Sequence, residues 1–424
     1  MQNPHNVSEP VDWWNEAERW RRLSQADPGS AALRSNQANA LWLNDEPLAA
    51  LPEAERAVQL DPRQPLAWRC LGNVLQDVGA LDRAVEAYQR SLALQADAAT
   101  AFNASKALMG LGRFGEAYGL AEQRLALPGF AVCRSGPYWQ GWPDAKRLWL
   151  WSEQGHGDLL QYLRWLVPLL RQGRRVVLEL EEPMVGLARQ GLAWIGGDLE
   201  VQARLEPVPV LPDGACQGPL LSLPLLLGEA PLQMLCPYLR LPQPEMQLGQ
   251  ALRRRPRVGL VWASGAFLDG HVLERDYRRK SLTGPPLRSL LNGLAERPLD
   301  LVALQFGADR QPPAWSGAFA DVLPEQADFL ETARELERLD LLISVDTAAA
   351  HLAGAMGLPV WLLLPWAAEG RWGRDRADSP WYPSMRLLRQ PRHQDWYGLI
   401  RLLLARLDLW LTDSARMRLP GTAG

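Results

Sequence analysis

Cysteine is scarce in this 424-residue chain, which contains four: Cys70, Cys133, Cys216 and Cys236. They are scattered and share no metal-ligand spacing, so the sequence predicts free, buried thiols rather than a metal site. Positive charge is not in excess either, because the formal net charge is −3. That balance gives no electrostatic footprint for nucleic acid.

Long apolar runs are also missing. The first residues, MQNPHNVSEPVDWW, contain no apolar signal core, and no run approaches the length of a membrane span. We therefore expect a cytoplasmic protein with no membrane span. Hydrophobic residues still make up 47% of a chain that is too long for one core, so two or three globular domains are expected.

The first third of the sequence carries a repeated helical pattern. In WRCLGNVLQDVGALDRAVEAYQRSL (68–92), small residues at Gly72 and Ala84 let two helices approach, and large ones such as Trp68 and Tyr88 fill the space around them. The same skeleton recurs 34 residues earlier and 33 residues later, in the pairs Ala38/Gly72, Ala50/Ala84, Gly79/Gly112 and Ala84/Ala117.

This periodicity resembles tetratricopeptide repeats (TPR), with repeats at roughly 31–64, 65–98 and 99–131 and a leading half repeat at 12–28. Such repeats stack into a curved solenoid whose concave face usually holds a peptide or a protein. A protein partner is therefore expected. The alternative is a module that serves only packing or dimerisation.

Beyond an aromatic, Gly- and Pro-rich linker, strands alternate with helices. The sequence predicts strands at 148–153, 175–181, 257–265, 299–307, 339–345 and 359–365, with helices at 158–173, 327–339 and 395–411. This alternation predicts parallel sheets in two doubly wound halves, with a ligand cleft at the carboxyl ends of the strands.

Polar residues interrupt the apolar pattern at one strand–helix junction in each half. In EQGHGD (153–158), Gly155 and Gly157 allow a sharp turn and a close approach, and Asp158 stands where the helix begins. A helix N-cap is the alternative role for Asp158. In SVDTAAAH (344–351), the helix start after Thr347 forms a ready anion site. Capping plus a hydrogen-bonded core histidine is the alternative there.

Two further segments carry candidate ligand contacts. RDYRRKSL (275–282) holds four basic residues that either face a phosphate or form a solvated charge run. RWGRDRADSPWYP (371–383) interleaves Arg371, Trp372 and Trp381 in a long loop. These aromatic residues either contact a ligand or form a structural plug.

Together, G-x-G-D and D-T-x-x-x-H resemble the heptosyltransferase-like glycosyltransferases of the GT-B fold, over about 147–410. The resemblance is closest to bacterial proteins in which tetratricopeptide repeats precede such a domain. Their EQG-x-GD, SVDT-x-x-AHL-x-GA-x-G and DSPWYP signatures match Glu153–Asp158, Ser344–Gly357 and Asp378–Pro383. The resemblance implies an α plus α/β protein: a TPR solenoid followed by a GT-B fold of two doubly wound Rossmann-like halves.

The resemblance also implies roles for individual residues. The family performs an inverting transfer of a sugar from a nucleotide diphosphate sugar, with Asp158 as the general base. The residues implied for donor binding are Asp346, Thr347, Ala348, His351 and either Arg279 or Lys280. His156 departs from the family, which has an apolar or small residue there, and leaves open which side chain takes the proton. No D-x-D pair is present, so we expect no metal and no cofactor besides the nucleotide sugar.

These inferences define a domain order. A TPR domain (1–131) and a linker (132–146) come first, followed by the acceptor-side half (147–254), the nucleotide-sugar half (255–392) and a terminal helix and tail (393–424). The expected partners are a nucleotide sugar and a protein acceptor recruited by the repeats. Two alternatives stay open: a glycan or lipid-linked acceptor with the repeats docking a complex, and a scaffold without catalysis.

Overall fold

The computed structural model describes residues 11–128, 136–141, 147–204, 210–228, 236–242, 255–265 and 271–418. Contacts within the chain divide it into two compact units, Met1–Arg124 with Ala266–Arg279, and Leu125–Gly265 with Lys280–Gly424. Most of the predicted linker, Cys133 and the predicted junction at residue 254 lie outside the described residues. Cys70, Cys216 and Cys236 are free thiols.

In the described part of the first unit, seven consecutive helices come first in the sequence. They are α1 (Trp13–Ala26), α2 (Ala31–Leu43), α3 (Pro47–Leu60), α4 (Pro65–Asp77), α5 (Leu81–Leu94), α6 (Ala98–Gly110) and α7 (Phe114–Ala121). Consecutive helices pack against each other along the whole series. The predicted helical repeat region is thereby confirmed.

Small residues lie in the core between the packed helices, as the sequence pattern indicates. A Cβ atom added to Gly72 in α4 would lie 2.5 Å from the ring of Tyr88 in α5, so only glycine fits there. The turns repeat as well, because Asp45, Gly79 and Gly112 all adopt left-handed backbone conformations, with φ of 63°, 80° and 74°. Glycine adopts this conformation without strain, whereas aspartate at the first of the three turns does so less readily.

A segment distant in sequence completes the first unit. Helix α12 (His271–Lys280) lies far from these seven helices in the sequence. Its residues up to Arg279 nevertheless group with the repeats. Arg275 is 1% exposed, donates from Nε to the carbonyl of Trp42 (2.6 Å) and pairs with Asp77. The domain predicted at 255–392 therefore runs across both units, because these buried ion pairs tie part of it to the repeats.

The second unit contains two parallel sheets. The first has the order β3-β2-β1-β4, with strands β1 (Arg147–Trp151), β2 (Val176–Leu180), β3 (Leu199–Ala203) and β4 (Ala215–Pro219). The second has the order β10-β9-β8-β5-β6-β7, with strands β5 (Arg257–Val261), β6 (Asp300–Ala303), β7 (Asp321–Val322), β8 (Leu341–Val345), β9 (Val360–Leu364) and β10 (Met385–Arg389).

Helices connect and cover these strands. They are α8 (His156–Tyr162), α9 (Leu166–Arg171), α10 (Glu182–Gly191), α11 (Leu223–Leu227), α13 (Gly284–Ala295), α14 (Phe329–Leu336), α15 (Ala348–Ala355) and α16 (Trp396–Arg418). All strand pairs run parallel, so the predicted parallel α/β architecture is confirmed. The single helix predicted at 158–173 is wrong: a 3-10 turn at Leu163–Trp165 separates α8 from α9.

The strand order fixes where a ligand can bind. In the first sheet the order reverses between β1 and β4, and in the second it reverses between β5 and β8. Loops leave the strands in opposite directions at such a point and open a crevice at the carboxyl ends. Both polar junctions singled out in the sequence follow a strand that borders one of these reversals. None of the described helices combines the length and apolar character needed to cross a bilayer.

Candidate active site

The first junction lies between β1 and α8. Gln154 has a left-handed backbone, with φ of 62°. Gly155 occupies the N-cap position of α8 and, as a glycine, has no side chain to cap the helix. Asp158 is the third residue of α8, and its Oδ1 accepts a hydrogen bond from Arg371 Nη2 at 2.5 Å. Asp158 therefore does not act as the N-cap, because its carboxylate faces the loop after β9.

The two glycines and the histidine of this junction differ in their surroundings. A Cβ atom on Gly157 would lie 3.0 Å from Cδ2 of His351, so this glycine permits the close packing of α8 on α15. At Gly155 the nearest atom would be Asp158 Oδ2 at 3.8 Å, which is an ordinary contact. The distance from His156 Nε2 to Glu181 Oε2 is 2.7 Å, and this contact lowers the pKa of Glu181.

The second junction lies between β8 and α15. The helix begins at Ala348, and Thr347 is its N-cap, accepting a 3.5 Å hydrogen bond from the backbone N–H of Ala350. The Thr347 hydroxyl also lies 2.9 Å from the hydroxyl of Ser344. Thr347 thus performs the capping role considered as an alternative. That cap orients the start of the helix, including the backbone N–H groups of Ala348 and Ala349.

Asp346 connects three side chains beside this helix start. Its Oδ2 accepts a hydrogen bond from Trp372 Nε1 at 3.0 Å and lies 3.6 Å from Lys280 Nζ, and its Oδ1 lies 3.6 Å from His351 Nε2. Burial alone would raise the pKa of Asp346, but Lys280 and His351 hold that pKa well below its ordinary value. The carboxylate is therefore ionised and positions both neighbours.

His351 is buried behind Asp346. Its Nδ1 lies 2.8 Å from the hydroxyl of Tyr382, so the imidazole is hydrogen-bonded as the alternative interpretation expects. Burial lowers the pKa of His351, and the nearby Arg371 adds to this effect, whereas Asp346 opposes it. The net direction is downward, so the ring is neutral at pH 7.

The structure distinguishes the two candidate phosphate-binding cations. Arg279 belongs to the helical unit, where it lies 3.3 Å from both Asp45 and Asp77. Lys280 lies beside Asp346 and 3.6 Å from Glu369. Of the pair, Lys280 is therefore the cation next to the second junction.

The loop after β9 brings the two junctions together. Arg371 donates to Asp158, to Glu369 (2.6 Å) and to Gln161 (2.9 Å). Burial would lower the pKa of Arg371, but the carboxylates of Asp158 and Glu369 raise it well above its ordinary value. Arg371 is thus a permanent cation that links α8 of the first half to the second half.

The two tryptophans of this loop are buried. Trp372 is fully buried and Trp381 is 1% exposed. Trp381 Nε1 donates to the carbonyl of Arg371 at 2.6 Å, and Trp372 Nε1 donates to Asp346. They hold Arg371 and Asp346 in place, as expected of a structural plug, while Arg371 itself faces the cluster.

Sequence reasoning missed two members of this site, Glu369 and Gln161, whereas Tyr382 belongs to the loop segment 371–383 that it singled out. Glu369 and Gln161 bind Arg371, and Tyr382 binds His351. Glu369 stands two residues before Arg371, in a loop after a strand, and this was its only signal in the sequence. Nothing in the helical pattern of α8 marks Gln161. Among the described residues, no three His, Cys, Asp or Glu side chains lie together as a metal site.

Comparisons with known proteins give distant similarities. No family model matches the chain. Protein FlbA of Caulobacter vibrioides is 25% identical over 427 residues, which cover 92% of this chain and 68% of FlbA. The iron-containing dodecameric glycosyltransferase TibC of enterotoxigenic E. coli is 14% identical, covers 64% of this chain and 78% of its own, and has a TM-score of 0.44. MamA is 19% identical over 28% of this chain and 69% of its own, with a TM-score of 0.26.

The lowered pKa of His351 predicts a pH-dependent stability. In the unfolded chain His351 takes up a proton as the pH falls through about 6.5, whereas in the folded chain it does so only at a lower pH. The free energy of unfolding therefore falls as the pH drops below about 6.5. The slope is at most about 1.4 kcal/mol per pH unit. Asp346 acts in a separate window, below about pH 4, because its pKa is lowered from 3.8.

We expect His351→Asn to flatten the fall of the melting temperature between pH 7.5 and pH 5.5. His393→Asn serves as the control, because it removes a histidine that packs against Trp366 and leaves His351 and Asp346 in place. Equal slopes in wild type and His351→Asn would contradict the prediction.

Proposed function

We propose that the protein is an inverting, metal-independent glycosyltransferase of the GT-B type that uses a nucleotide diphosphate sugar. One observation carries the proposal. An acid at the carboxyl end of one parallel sheet, Asp158, meets cations and a helix N-terminus at the carboxyl end of the other. The 2.5 Å contact of Asp158 with Arg371, and the position of Lys280 beside Asp346, support this arrangement. The resemblance of both junctions to heptosyltransferase-like motifs supports the choice of reaction.

In the proposed reaction, Asp158 takes the proton of an acceptor hydroxyl or amide as that group attacks the anomeric carbon. The bond from the anomeric carbon to the diphosphate oxygen breaks, and its electron pair leaves with the diphosphate. Attack opposite the leaving group inverts the configuration. Among the described residues, none donates a hydrogen bond to Asp158 Oδ2, so that oxygen can accept the proton while Oδ1 binds Arg371.

The developing charge on the diphosphate needs preorganised cations and dipoles. Lys280 and Arg371 supply fixed positive charge, and the start of α15, with Thr347 and Ala348, supplies backbone N–H groups. Asp346 and His351 act by positioning Lys280 and the loop of Trp372. His156 faces Glu181, so Asp158 is the favoured proton acceptor of the two.

For the acceptor, we propose a protein recruited by the helical repeats. Stacked helix pairs present an extended surface suited to a peptide or protein, and the regular packing at Gly72 and the repeated turns support that use. A glycan or lipid-linked acceptor is the alternative, with the repeats docking a complex.

A scaffold without catalysis is a second candidate. The observation in its favour is that Asp158, Arg371 and Glu369 already form a satisfied ion cluster, and that Thr347 and His351 fulfil capping and packing roles. Both candidates predict a stable contact between the two halves, but only the first predicts turnover.

A screen of nucleotide sugars separates the candidates. The full-length chain is incubated with each donor, with and without EDTA, and released nucleoside diphosphate is measured beside thermal stabilisation by the donor. We expect one nucleotide class to stabilise the protein and to be hydrolysed slowly, equally with EDTA. Stabilisation without hydrolysis would favour the scaffold. Loss of hydrolysis in EDTA, restored by magnesium or manganese, would contradict the metal-free mechanism.

The double substitution Asp346→Ala with His351→Ala is expected to weaken nucleotide diphosphate binding by about 10- to 150-fold. It removes the carboxylate that positions Lys280, and a charged hydrogen bond is worth about 1.5–3 kcal/mol. Calorimetry measures the affinity. Asp340→Ala is the control, because Asp340 binds the backbone N–H of Arg257 at the opposite end of β8. Unchanged affinity with a lowered melting temperature would mean that Asp346 and His351 are structural.

A further inference from the structure

The carboxylate of Glu369 lies between two cations of the candidate active site. Its Oε1 is 2.6 Å from Arg371 Nη2, and its Oε2 is 3.6 Å from Lys280 Nζ. The side chains of Glu369 and Lys280 are 23% and 25% exposed, whereas Asp346 behind them is 7% exposed. Glu369 and Lys280 are therefore more exposed to water than Asp346, and a dissolved ligand can reach them.

Each of the two cations also has a second carboxylate partner. Arg371 binds Asp158, and Lys280 lies beside Asp346. Glu369 is thus an additional acid that bridges two cations already paired. Three carboxylates face two cations, and the lowered pKa of His351 keeps that ring neutral, so the cluster carries one surplus negative charge.

An ammonium group and a guanidinium fork that share one anionic partner are well suited to a phosphate group. We propose that Lys280 and Arg371 together form the diphosphate subsite, and that the Glu369 carboxylate holds the place between them that the phosphate oxygens of a nucleotide diphosphate take. The inference rests on the proposed function. Glu369 must turn away before the ligand binds, and it thereby sets the affinity of the subsite.

The position of Glu369 makes this exchange physically straightforward. It precedes a short 3-10 turn at Gly370–Trp372, and its side chain is part-exposed, so it can rotate into water without exposing the core. Arg371 keeps Asp158 and Gln161 as partners when Glu369 leaves. A doubly charged ligand competes with one carboxylate, whereas a singly charged ligand gains little from the exchange.

Calorimetry on the full-length chain tests the proposal, with inorganic pyrophosphate and a set of nucleoside diphosphates as probes. Glu369→Gln keeps the shape of the side chain and removes its charge. We expect it to bind pyrophosphate about tenfold more tightly than wild type, because a like charge beside an anion is costly. Adding Lys280→Met to Glu369→Gln should abolish that gain.

The control and the second variant guard against unspecific effects. Glu200, on β3, forms an ion pair with Arg147 of β1, and Glu200→Gln removes the same charge there and should leave pyrophosphate affinity unchanged. If Glu369→Gln fails to fold, Glu369→Asp draws the carboxylate back from the cations by one methylene and should also tighten binding.

The outcomes separate this proposal from the proposed function. Equal or weaker pyrophosphate binding in Glu369→Gln, when wild type binds nucleoside diphosphates, overturns the role of Glu369 alone. Tighter pyrophosphate binding without binding of any nucleotide supports the subsite and contradicts the nucleotide-sugar reaction. Absence of binding of every probe by every folded variant overturns both.

Discussion

Replacing Asp158 with asparagine is expected to lower the rate of sugar transfer by about 10²- to 10⁴-fold, the usual contribution of a general base. Nucleotide affinity should not fall, because Arg371 keeps Gln161 as a partner, the asparagine side chain has the same shape, and no group that binds the diphosphate is lost. The loss should therefore appear in turnover rather than in donor binding. Transfer is measured at saturating donor, and affinity is measured separately by calorimetry.

Asp328→Asn is the matched control for this substitution. Asp328 also stands at a helix start, where its Oδ1 accepts a 2.8 Å hydrogen bond from the backbone N–H of Glu331 in the capping box of α14. Its substitution should lower stability and spare turnover. If Asp158→Asn transfers sugar at the wild-type rate, the contact with Arg371 is the whole role of Asp158.

Removing the helical repeats is expected to lower transfer to the natural acceptor by about 10²- to 10⁴-fold while sparing hydrolysis of the donor by water. Recruitment by a linked site raises the effective concentration of the acceptor, and that advantage is lost with the site. The deletion covers residues 1–131, the predicted repeat domain. Rates are measured on the intact acceptor and on a short peptide around the modified residue.

Folding has to be verified first, because the deletion also removes Asp45 and Asp77, the partners of Arg275 and Arg279. Donor hydrolysis at the wild-type rate is the internal control that the remaining unit is intact. Full-length protein should favour the intact acceptor, and the truncated protein should treat acceptor and peptide alike. A truncated protein that keeps the full rate on the intact acceptor would favour a glycan or small-molecule acceptor.

Much of the site could be read from the sequence because both junctions are local. A buried strand followed by glycines or a capping residue and then a helix is encoded within about ten residues, as in EQGHGD and SVDTAAAH. Asp158 and Asp346 were therefore found. The local sequence left open whether Asp158 caps the helix, because the partner that its carboxylate binds, Arg371, lies 213 residues away.

The strands that were missed show where local patterns fail. β4, ACQGP, contains glycine, proline and glutamine, none of which favours a strand, yet all five residues are buried and pair with β1. Its central glutamine, Gln217, is accommodated because its side-chain carbonyl accepts a 2.9 Å hydrogen bond from Trp151. Pairing with a neighbouring strand decided this element, and propensity did not.

By itself, the sequence determined the helical repeats, the parallel α/β region and the two polar junctions, because helix and strand periods and small-residue contacts recur over short distances. The tertiary structure alone decided which charges meet. It buried Arg275 and Arg279 against Asp45 and Asp77 of the repeats, and it left Lys280, the next residue, beside Asp346. Successive residues of a helix point about 100° apart, so one basic run supplied cations to two environments that no local pattern distinguishes.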